Sequence, residues 1–180
     1  MTRNMVHIPS QACPGWPVTQ FRDEFRFLAN PFPRPVVFED IEYPSNEHAF
    51  QAAKTWDFGL RRRIAALPDW REAKRTGRGL ARRPDWEQAK RAVMLQLTLA
   101  KYLQHGDLAA GLTGTGERLL IEGNTWGDDE WGAVQYTGQP HLPVWRIGET
   151  NHTWLAGHNW LGWTLMVVRD VLAGTGPVPR

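Results

Sequence analysis

Three polar residues on one predicted helix have the types and spacing needed for acid–base or nucleophilic chemistry. Glu47 and Lys54 are seven residues apart, so a helix places them two turns apart on one face, with Gln51 between them. A carboxylate, an amide and an amine beside apolar neighbours are costly to bury unless they are paired or used in a reaction. Taken alone, however, the spacing is better explained by an exposed helix that carries weak salt bridges.

A second group of candidate residues lies in an acidic, glycine-rich loop at residues 122–132. The loop holds four acids, among them Asp128, and two tryptophans, Trp126 and Trp131, and it follows a predicted strand at 118–122. Catalytic groups often lie on loops held by a scaffold, although a solvated turn would have the same composition. The spacing of acids in an EF-hand is absent, so the loop does not indicate a calcium site.

A third segment, residues 157–166, precedes Arg169 and contains Gly157 and Gly162. These glycines would let a ligand or a neighbouring helix approach closely, and the sequence does not favour either one. Elsewhere, the six histidines lack the spacing of a metal site, and no Gly-x-Ser-x-Gly or Walker A motif occurs. We therefore predict neither a metal nor a cofactor.

Basic residues are concentrated in one stretch of the chain. Residues 61–91 contain eleven Lys or Arg and four acids, a net charge of +7, whereas the remainder carries −5. This distribution favours a phosphate-bearing ligand near the basic stretch, with Arg78, Arg82 or Arg83 as candidate ligands. The same arginines could equally be the solvated faces of two helices. Ten tryptophans are also many for this length; most must be core, but one or two could stack on a flat base.

Length and composition predict a single domain. The chain has 180 residues, 42% of them hydrophobic, and a mean hydropathy of −0.47, which suffices for one sizeable core. We expect residues 1–20 to be a loosely ordered leader without a signal peptide and residues 21–176 to form the domain. The most apolar run, 165–168, is far too short to cross a membrane. The single cysteine, Cys13, favours a reducing compartment, so we expect a cytoplasmic protein.

The predicted elements that position these residues begin with short strands. Period-two alternation predicts strands at 21–28 and 35–43, and a proline-rich loop separates them. Ser45 is the expected N-cap of the helix that carries Glu47 and Lys54.

Helices dominate the rest of the chain. Asp69 and Asp85 each begin an Asp-Trp-x-x-Ala-Lys-Arg repeat and are predicted to cap two helices, the second of which runs to about His105. A short helix follows from Asp107, and the C-terminal helix spans 159–173. The pattern predicts an α+β fold that is predominantly helical, because no βαβ alternation occurs.

In order along the chain, these segments resemble the NADAR, or YbiA-like, family. Asn30 lies in a segment similar to the family's Phe-Leu-Ser-Asn motif, and the ordered set is more specific than any one member. Two features depart from the family: the acidic loop is one residue longer, and residues 136–157 are an insertion of a length typical of lids or substrate-binding loops. The matching segments span about residues 21–173 and are 27–36, 45–54, 73–78, 85–94, 122–132 and 157–169.

The resemblance implies N-glycosidase activity without a metal or cofactor, on a mainly helical α+β fold. It also implies that a lysine, here Lys54, attacks the sugar and forms a Schiff base with the ring-opened ribose. Glu47 and Asp128 would then act as acid and base or stabilise the cationic sugar. The positions that we expect to bind substrate are Asn30, Trp86, Trp131, Asn159 and Arg78, with the two tryptophans on either side of the base.

Two substrate classes follow from the resemblance. The first is ADP-ribose attached to a base, notably guanine in nucleic acid, and the basic stretch and the insertion favour it. The second is the ribosylamino-pyrimidine phosphates of riboflavin biosynthesis. Two other functions remain open: a non-catalytic module that binds ADP-ribose or nucleotides, and a nucleic-acid-binding domain that uses the basic stretch.

Overall fold

The structure, a computed structural model, describes residues 5–6, 15–136, 144–147 and 153–174. By its contacts the chain divides into two compact units, one formed by residues 27–110 and the other by residues 1–26 together with 111–180. Helices predominate over short strands, which confirms the predicted α+β class. Most of the expected leader, including Cys13, and much of the expected insertion at 136–157 lie outside the described residues.

Helices and strands alternate irregularly along the chain. The helices are a 3-10 helix at Asp23–Leu28 and α1 (Asn46–Ala52), α2 (Phe58–Ala65), α3 (Trp70–Arg78), α4 (Trp86–Gln104), α5 (Gly106–Thr113) and α6 (Trp160–Leu172). The strands are β1 (Met5–Val6), β2 (Val36–Phe38), β3 (Ile41–Tyr43), β4 (Gly123–Asn124), β5 (Ala133–Tyr136), β6 (Val144–Ile147) and β7 (Thr153–Ala156). Among the described helices, none is long and apolar enough to span a membrane.

The unit at 27–110 has α1 in its interior. This helix packs against α2, α3, α4 and β2, and all seven of its residues are buried. A helix of this length is not stable by itself in water, so the surrounding helices hold it in place. The interpretation of residues 46–52 as an exposed, salt-bridged helix is therefore wrong.

The two strands predicted between residues 21 and 43 differ from the structure. In place of one strand at 35–43 there are two short strands, β2 and β3, which pair antiparallel. Their turn places Glu39 and Asp40 at positive φ, 47° and 61°, as the tight turn of a twisted hairpin requires. The strand expected at 21–28 is wrong, because Asp23 has a left-handed backbone (φ 49°) and a 3-10 helix follows. A left-handed residue interrupts an extended chain, whatever its side-chain alternation.

The two predicted aspartate caps also differ from each other. Asp69 caps α3 as predicted, because its carboxylate accepts from the backbone N–H groups of Arg71 and Glu72. Asp85 precedes α4 but makes no capping hydrogen bond. Its carboxylate instead accepts two hydrogen bonds from the guanidinium of Arg83, and such bidentate pairs are among the strong hydrogen bonds of proteins. The long apolar stripe of α4 is confirmed.

The other unit contains a five-stranded sheet in the order β1-β6-β7-β5-β4. Strand β7 pairs antiparallel with β5 and β6, while the pairs β1–β6 and β4–β5 are parallel. The strand expected at 118–122 is wrong: Leu120 forms only an isolated bridge to Val18, and β4 begins at Gly123. The C-terminal helix is confirmed as α6.

Candidate active site

The N-terminus of α1 is fixed by polar contacts. Ser45 precedes the helix in an extended conformation, and its hydroxyl accepts a long bond from the His48 N–H and bonds the His48 ring at 2.8 Å. The backbone N–H of Glu47 donates to the carbonyl of Asn30 at 3.1 Å. Asn30 is itself buried, with its amide on the sulfur of Met94 at 3.2 Å. Asn30 thus fixes the start of α1, which carries Glu47 and Gln51 but ends two residues before Lys54, earlier than the sequence predicted.

Glu47, Gln51 and Lys54 form a continuous hydrogen-bonded chain. The amine of Lys54 donates to the Gln51 side-chain oxygen at 2.5 Å, and the Gln51 amide nitrogen donates to the Glu47 carboxylate at 2.8 Å. All three side chains are buried, and Lys54 is only 8% exposed. Because Gln51 separates the charges, the amine lies near the carboxylate without forming a direct ion pair.

The pKa of Lys54 is lowered to about 8. Burial is the largest cause, because it disfavours the charged ammonium, and the positive charges of Arg82, Lys74 and Arg78 add to it. The negative charge of Glu47 opposes these effects only in part. An amine with this pKa is neutral in an appreciable fraction of molecules near pH 7, which is the condition for a lysine to act as a nucleophile.

A glycine of α3 leaves the space that the side chain of Gln51 occupies. A Cβ added to Gly77 would lie 2.8 Å from the Cβ of Gln51 and would overlap its side-chain oxygen. Any larger residue at this position must therefore displace Gln51, on which both Lys54 and Glu47 depend. The glycine of the Thr-Gly-Arg segment at 76–78 thus has a packing role beside the site.

Aromatic rings lie beside the hydrogen-bonded side chains of Glu47, Gln51 and Lys54. The ring of Trp86 packs against Phe50 with centroids 5.2 Å apart, and the amine of Lys54 lies 5.9 Å from the Phe50 centroid. Trp86 is only 4% exposed, so its faces are largely occupied by protein in this structure. Its stacking on a base stays a prediction.

The candidate phosphate ligands differ in their availability. Arg78 is exposed at the end of α3, and Arg82 is half exposed and bonds Glu87 at 3.2 Å. Arg83 instead uses its guanidinium on Asp85, at 2.7 and 2.6 Å. Arg78 and Arg82 are thus the better candidates to bind a phosphate close to Lys54.

Asp128 organises the acidic loop in the other unit. Its carboxylate accepts from the Trp131 N–H at 2.9 Å, and its own N–H donates to the Asn124 side-chain oxygen at 3.0 Å. The Asn124 amide nitrogen donates to the Asp128 backbone carbonyl at 2.7 Å. One oxygen of the Asp128 carboxylate therefore stabilises a turn, and Trp131 is held at the end of that turn, partly buried.

Asn159 is fully buried and bonds the backbone of the same unit. Its side chain accepts from the Glu122 N–H at 3.0 Å and donates to the Leu120 carbonyl at 2.9 Å. It adopts a left-handed conformation (φ 53°) immediately before α6, which asparagine tolerates better than most residues. Gly162 lets α6 approach this backbone, since a Cβ there would overlap the Leu120 carbonyl. Of the two explanations for Gly162, close packing of the helix is therefore the one observed.

Lys101, a buried residue that the sequence reasoning missed, lies on α4. Its amine is buried and donates to the carbonyls of Phe27 at 2.6 Å and Ala29 at 3.1 Å, and burial lowers its pKa to about 7. A signal was present in the sequence, because Lys101 continues the buried stripe of Val93 and Leu97 at helical spacing. A charged residue on an apolar stripe marks a group with a specific partner.

Comparison with known proteins identifies the family. The NADAR domain matches residues 12–173. The chain belongs to the NADAR family. It is 31% identical to N-glycosidase YbiA of Escherichia coli over 153 residues, which cover 84% of each chain, and 31% identical to N-glycosidase YbiA of Shigella flexneri over 112 residues, 61% of this chain and 69% of the relative.

A solved structure supports the same fold. The NMR structure of the Escherichia coli protein YbiA superposes with a TM-score of 0.66 at 28% sequence identity, covering 92% of this chain and 94% of that one. The YbiA-like fold expected from the sequence is therefore confirmed.

The predicted site residues of this NADAR protein fall into two sets. Around α1, the structure brings together Glu47, Lys54, Asn30 and Trp86, with Arg78 near enough to act on the charge of Lys54. The remaining three, which belong to the other unit, are Asp128, Trp131 and Asn159. In the described parts of the chain, no group of three or more His, Cys, Asp or Glu side chains could hold a metal ion. The first set has the components of an amine nucleophile with a carboxylate close by.

Proposed function

We propose that this NADAR protein hydrolyses the N-glycosidic bond between ADP-ribose and a modified base, such as ADP-ribosyl-guanine in nucleic acid. The coarser activity follows from its family: the chain is an N-glycosidase of the YbiA type, a hydrolase of N-glycosyl bonds. The observation that carries the proposal is Lys54, a buried amine with a pKa of about 8 that is bonded to Gln51 beside Glu47.

In the proposed mechanism, the neutral amine of Lys54 attacks C1′ of the ribose while the bond from C1′ to the base nitrogen breaks. The base leaves with the bonding electron pair and takes a proton from a general acid. The ribosyl-amine then opens to a Schiff base, water adds to C1′, and the amine leaves. The net result places the hydroxyl of water on C1′ and its proton on the base. Glu47 stabilises the positive charge that forms on the amine and sugar.

The basic residues near Lys54 support a phosphate-bearing substrate. Lys74, Arg78 and Arg82 all act on the charge of Lys54, so this part of the unit is positively charged around the proposed nucleophile. Three cations suit the pyrophosphate of ADP-ribose better than a single phosphate. Stacking of the base on Trp86, in the same unit as Lys54, belongs to the same proposal.

A parallel assay tests the substrate. Purified protein is given an ADP-ribosyl-guanine oligonucleotide and, separately, a ribosylaminopyrimidine phosphate, and the released base or sugar is quantified by chromatography. We expect release of ADP-ribose from the oligonucleotide, lost in Lys54→Met. Activity on the pyrimidine phosphate alone would support the riboflavin-pathway substrate and overturn the proposed one.

The non-catalytic alternative makes a different prediction in the same assay. A module that only binds ADP-ribose would retain the oligonucleotide without releasing product, and Lys54→Met would leave its affinity unchanged. The nucleic-acid-binding alternative predicts binding of unmodified DNA with a steep dependence on salt. The chain of Glu47, Gln51 and Lys54 argues against both, because binding alone does not need a buried amine of lowered pKa.

A further inference from the structure

The structure assigns a nucleobase-stacking site to Trp56 and Arg83, beside Lys54. The site would bind a base of the substrate other than the one released, and it therefore rests on the proposed function. Trp56 lies two residues after Lys54, between α1 and α2, and 57% of its surface is exposed. An indole left this open in water is a large apolar surface with nothing in the described structure covering most of it.

Arg83 holds one side of the indole. Its guanidinium carbon lies 5.3 Å from the centre of the Trp56 ring, within the range of a cation–π contact. The guanidinium is fixed by two bonds to Asp85, at 2.7 and 2.6 Å, and only 16% of the Arg83 side chain is exposed. The ring is therefore held by a cation that is itself immobile, so little rotamer entropy is lost when a base stacks on it.

The same arginine connects this ring to the backbone of Lys54. The backbone N–H of Arg83 donates to the Lys54 carbonyl at 2.7 Å. Trp56 and Lys54 are thus held together both along the chain and through Arg83. Trp56 therefore lies on the segment that directly follows the proposed nucleophile, and Arg83 contacts both residues.

The chemistry of the site fits a nucleobase. An exposed aromatic face stacks on bases of any sequence, and nearby basic groups favour a ligand with phosphates on either side. Arg82 and Arg78 supply such charges close to Lys54. Two sources of that base are possible in the proposed substrate: the adenine of ADP-ribose, or a base adjacent to the modified one in the strand.

The test is a set of binding measurements on the 180-residue chain carrying Lys54→Met, which removes the proposed nucleophile. Calorimetry gives the Kd of ADP-ribose and of an ADP-ribosyl-guanine oligonucleotide, each with Trp56→Ala, Trp56→Phe and the control Trp16→Ala. Trp16 is another exposed tryptophan, 71% exposed, in the other unit. We expect Trp56→Ala to weaken binding about ten-fold or more, with Trp56→Phe restoring most of it and Trp16→Ala having no effect.

The two ligands separate the two sources of the base. Weaker binding of both ligands indicates adenine, whereas weaker binding of the oligonucleotide alone indicates an adjacent base. Equal affinity of Trp56→Ala and the parent for both ligands, or no binding of either by the parent, would overturn the assignment. Product release is measured separately, in the protein with Lys54 intact. Absence of release there contradicts the proposed function, whereas the effect of Trp56→Ala on affinity tests only the stacking site.

Discussion

At the scale of single residues, the proposed role of Lys54 as a nucleophile depends on the loss of one proton from its amine. Burial and three neighbouring cations lower its pKa to about 8, while Glu47 opposes them in part. At pH 7 about a tenth of the molecules then carry a neutral amine, compared with about 1 in 3,000 for a lysine of ordinary pKa. This difference is what the proposed attack by Lys54 requires at neutral pH.

The rate of base release should depend on pH accordingly. Because the reactive form is deprotonated, kcat should rise as the pH increases through about 8 and level off above it. Initial rates on saturating ADP-ribosyl-guanine oligonucleotide between pH 6 and 10 measure this directly. A rate that is flat over the whole range, or that keeps rising to pH 10, would show that Lys54 does not titrate as described.

Removal of one neighbouring charge should move this dependence. Arg82→Gln takes away the cation with the largest effect on Lys54, so the pKa of the amine should rise and the rate at pH 7 should fall a few-fold. Arg63→Gln removes the same charge from the exposed surface of α2 and should leave the midpoint in place. An identical midpoint in the two variants would contradict the electrostatic explanation.

Sequence reasoning identified part of this arrangement. Helical spacing predicted that Glu47, Gln51 and Lys54 share a face, because that relation is local. It could not show that Arg82 acts on Lys54, since 28 residues separate them and only tertiary packing brings their charges together. Lys101 was missed, although its place on a buried stripe was visible.

At the scale of elements, the contact between α1 and α3 keeps the site in order. Gly77→Ala places a methyl group against Gln51, so it should destabilise the fold by about 1–3 kcal/mol and lower kcat in the molecules that remain folded. Thermal unfolding and activity assays measure the two effects. Gly106→Ala is the matched control, because nothing lies within 4 Å of its added Cβ. Wild-type activity in Gly77→Ala would show that the position of Gln51 does not matter for the reaction.

Helices and their caps could be predicted where residue type and sequence spacing alone determine them. The Ser45 and Asp69 caps and the stripe of α4 follow from residue type and spacing. The strand expected at 21–28 failed because the left-handed backbone of Asp23 is not encoded by alternation. The prediction of an Asp85 cap was wrong because Arg83 binds the same carboxylate. Capping rules consider only the helix and do not include such a competing partner.

At the scale of the whole molecule, Lys101 should make folding stability depend on pH. Burial lowers its pKa to about 7 from the 10.5 of an unfolded lysine. Between these values the unfolded chain holds a proton that the folded chain has released, so stability should rise with pH, by up to about 1.4 kcal/mol per unit. The gain ends above the unfolded pKa, and below pH 7 the cost of the buried charge is fully present.

Chemical denaturation at several values between pH 7 and 9.5 measures this slope. Lys101→Met should reduce it, whatever that variant does to stability at one pH through the lost bonds to Phe27 and Ala29. Lys90→Met, which removes a lysine paired with Glu87 on the same helix, should keep it. An unchanged slope in Lys101→Met would indicate that the buried amine does not titrate in this window.

The family and class of the molecule were predictable, but its substrate was not. The ordered segments from Asn30 to Arg169 indicated the NADAR family, and the match over residues 12–173 confirms it. The uneven charge of the sequence is consistent with a phosphate-bearing ligand, but it does not distinguish one leaving base from another.

Reductive trapping tests the central claim most directly. The protein is incubated with an ADP-ribosyl-guanine oligonucleotide and borohydride, digested, and mapped by mass spectrometry. A Schiff base predicts a substrate-dependent adduct on the peptide that contains Lys54, absent in Lys54→Met, with no adduct on Lys101, the other buried lysine of lowered pKa. Turnover without any adduct, together with full activity in Lys54→Met, would contradict the account.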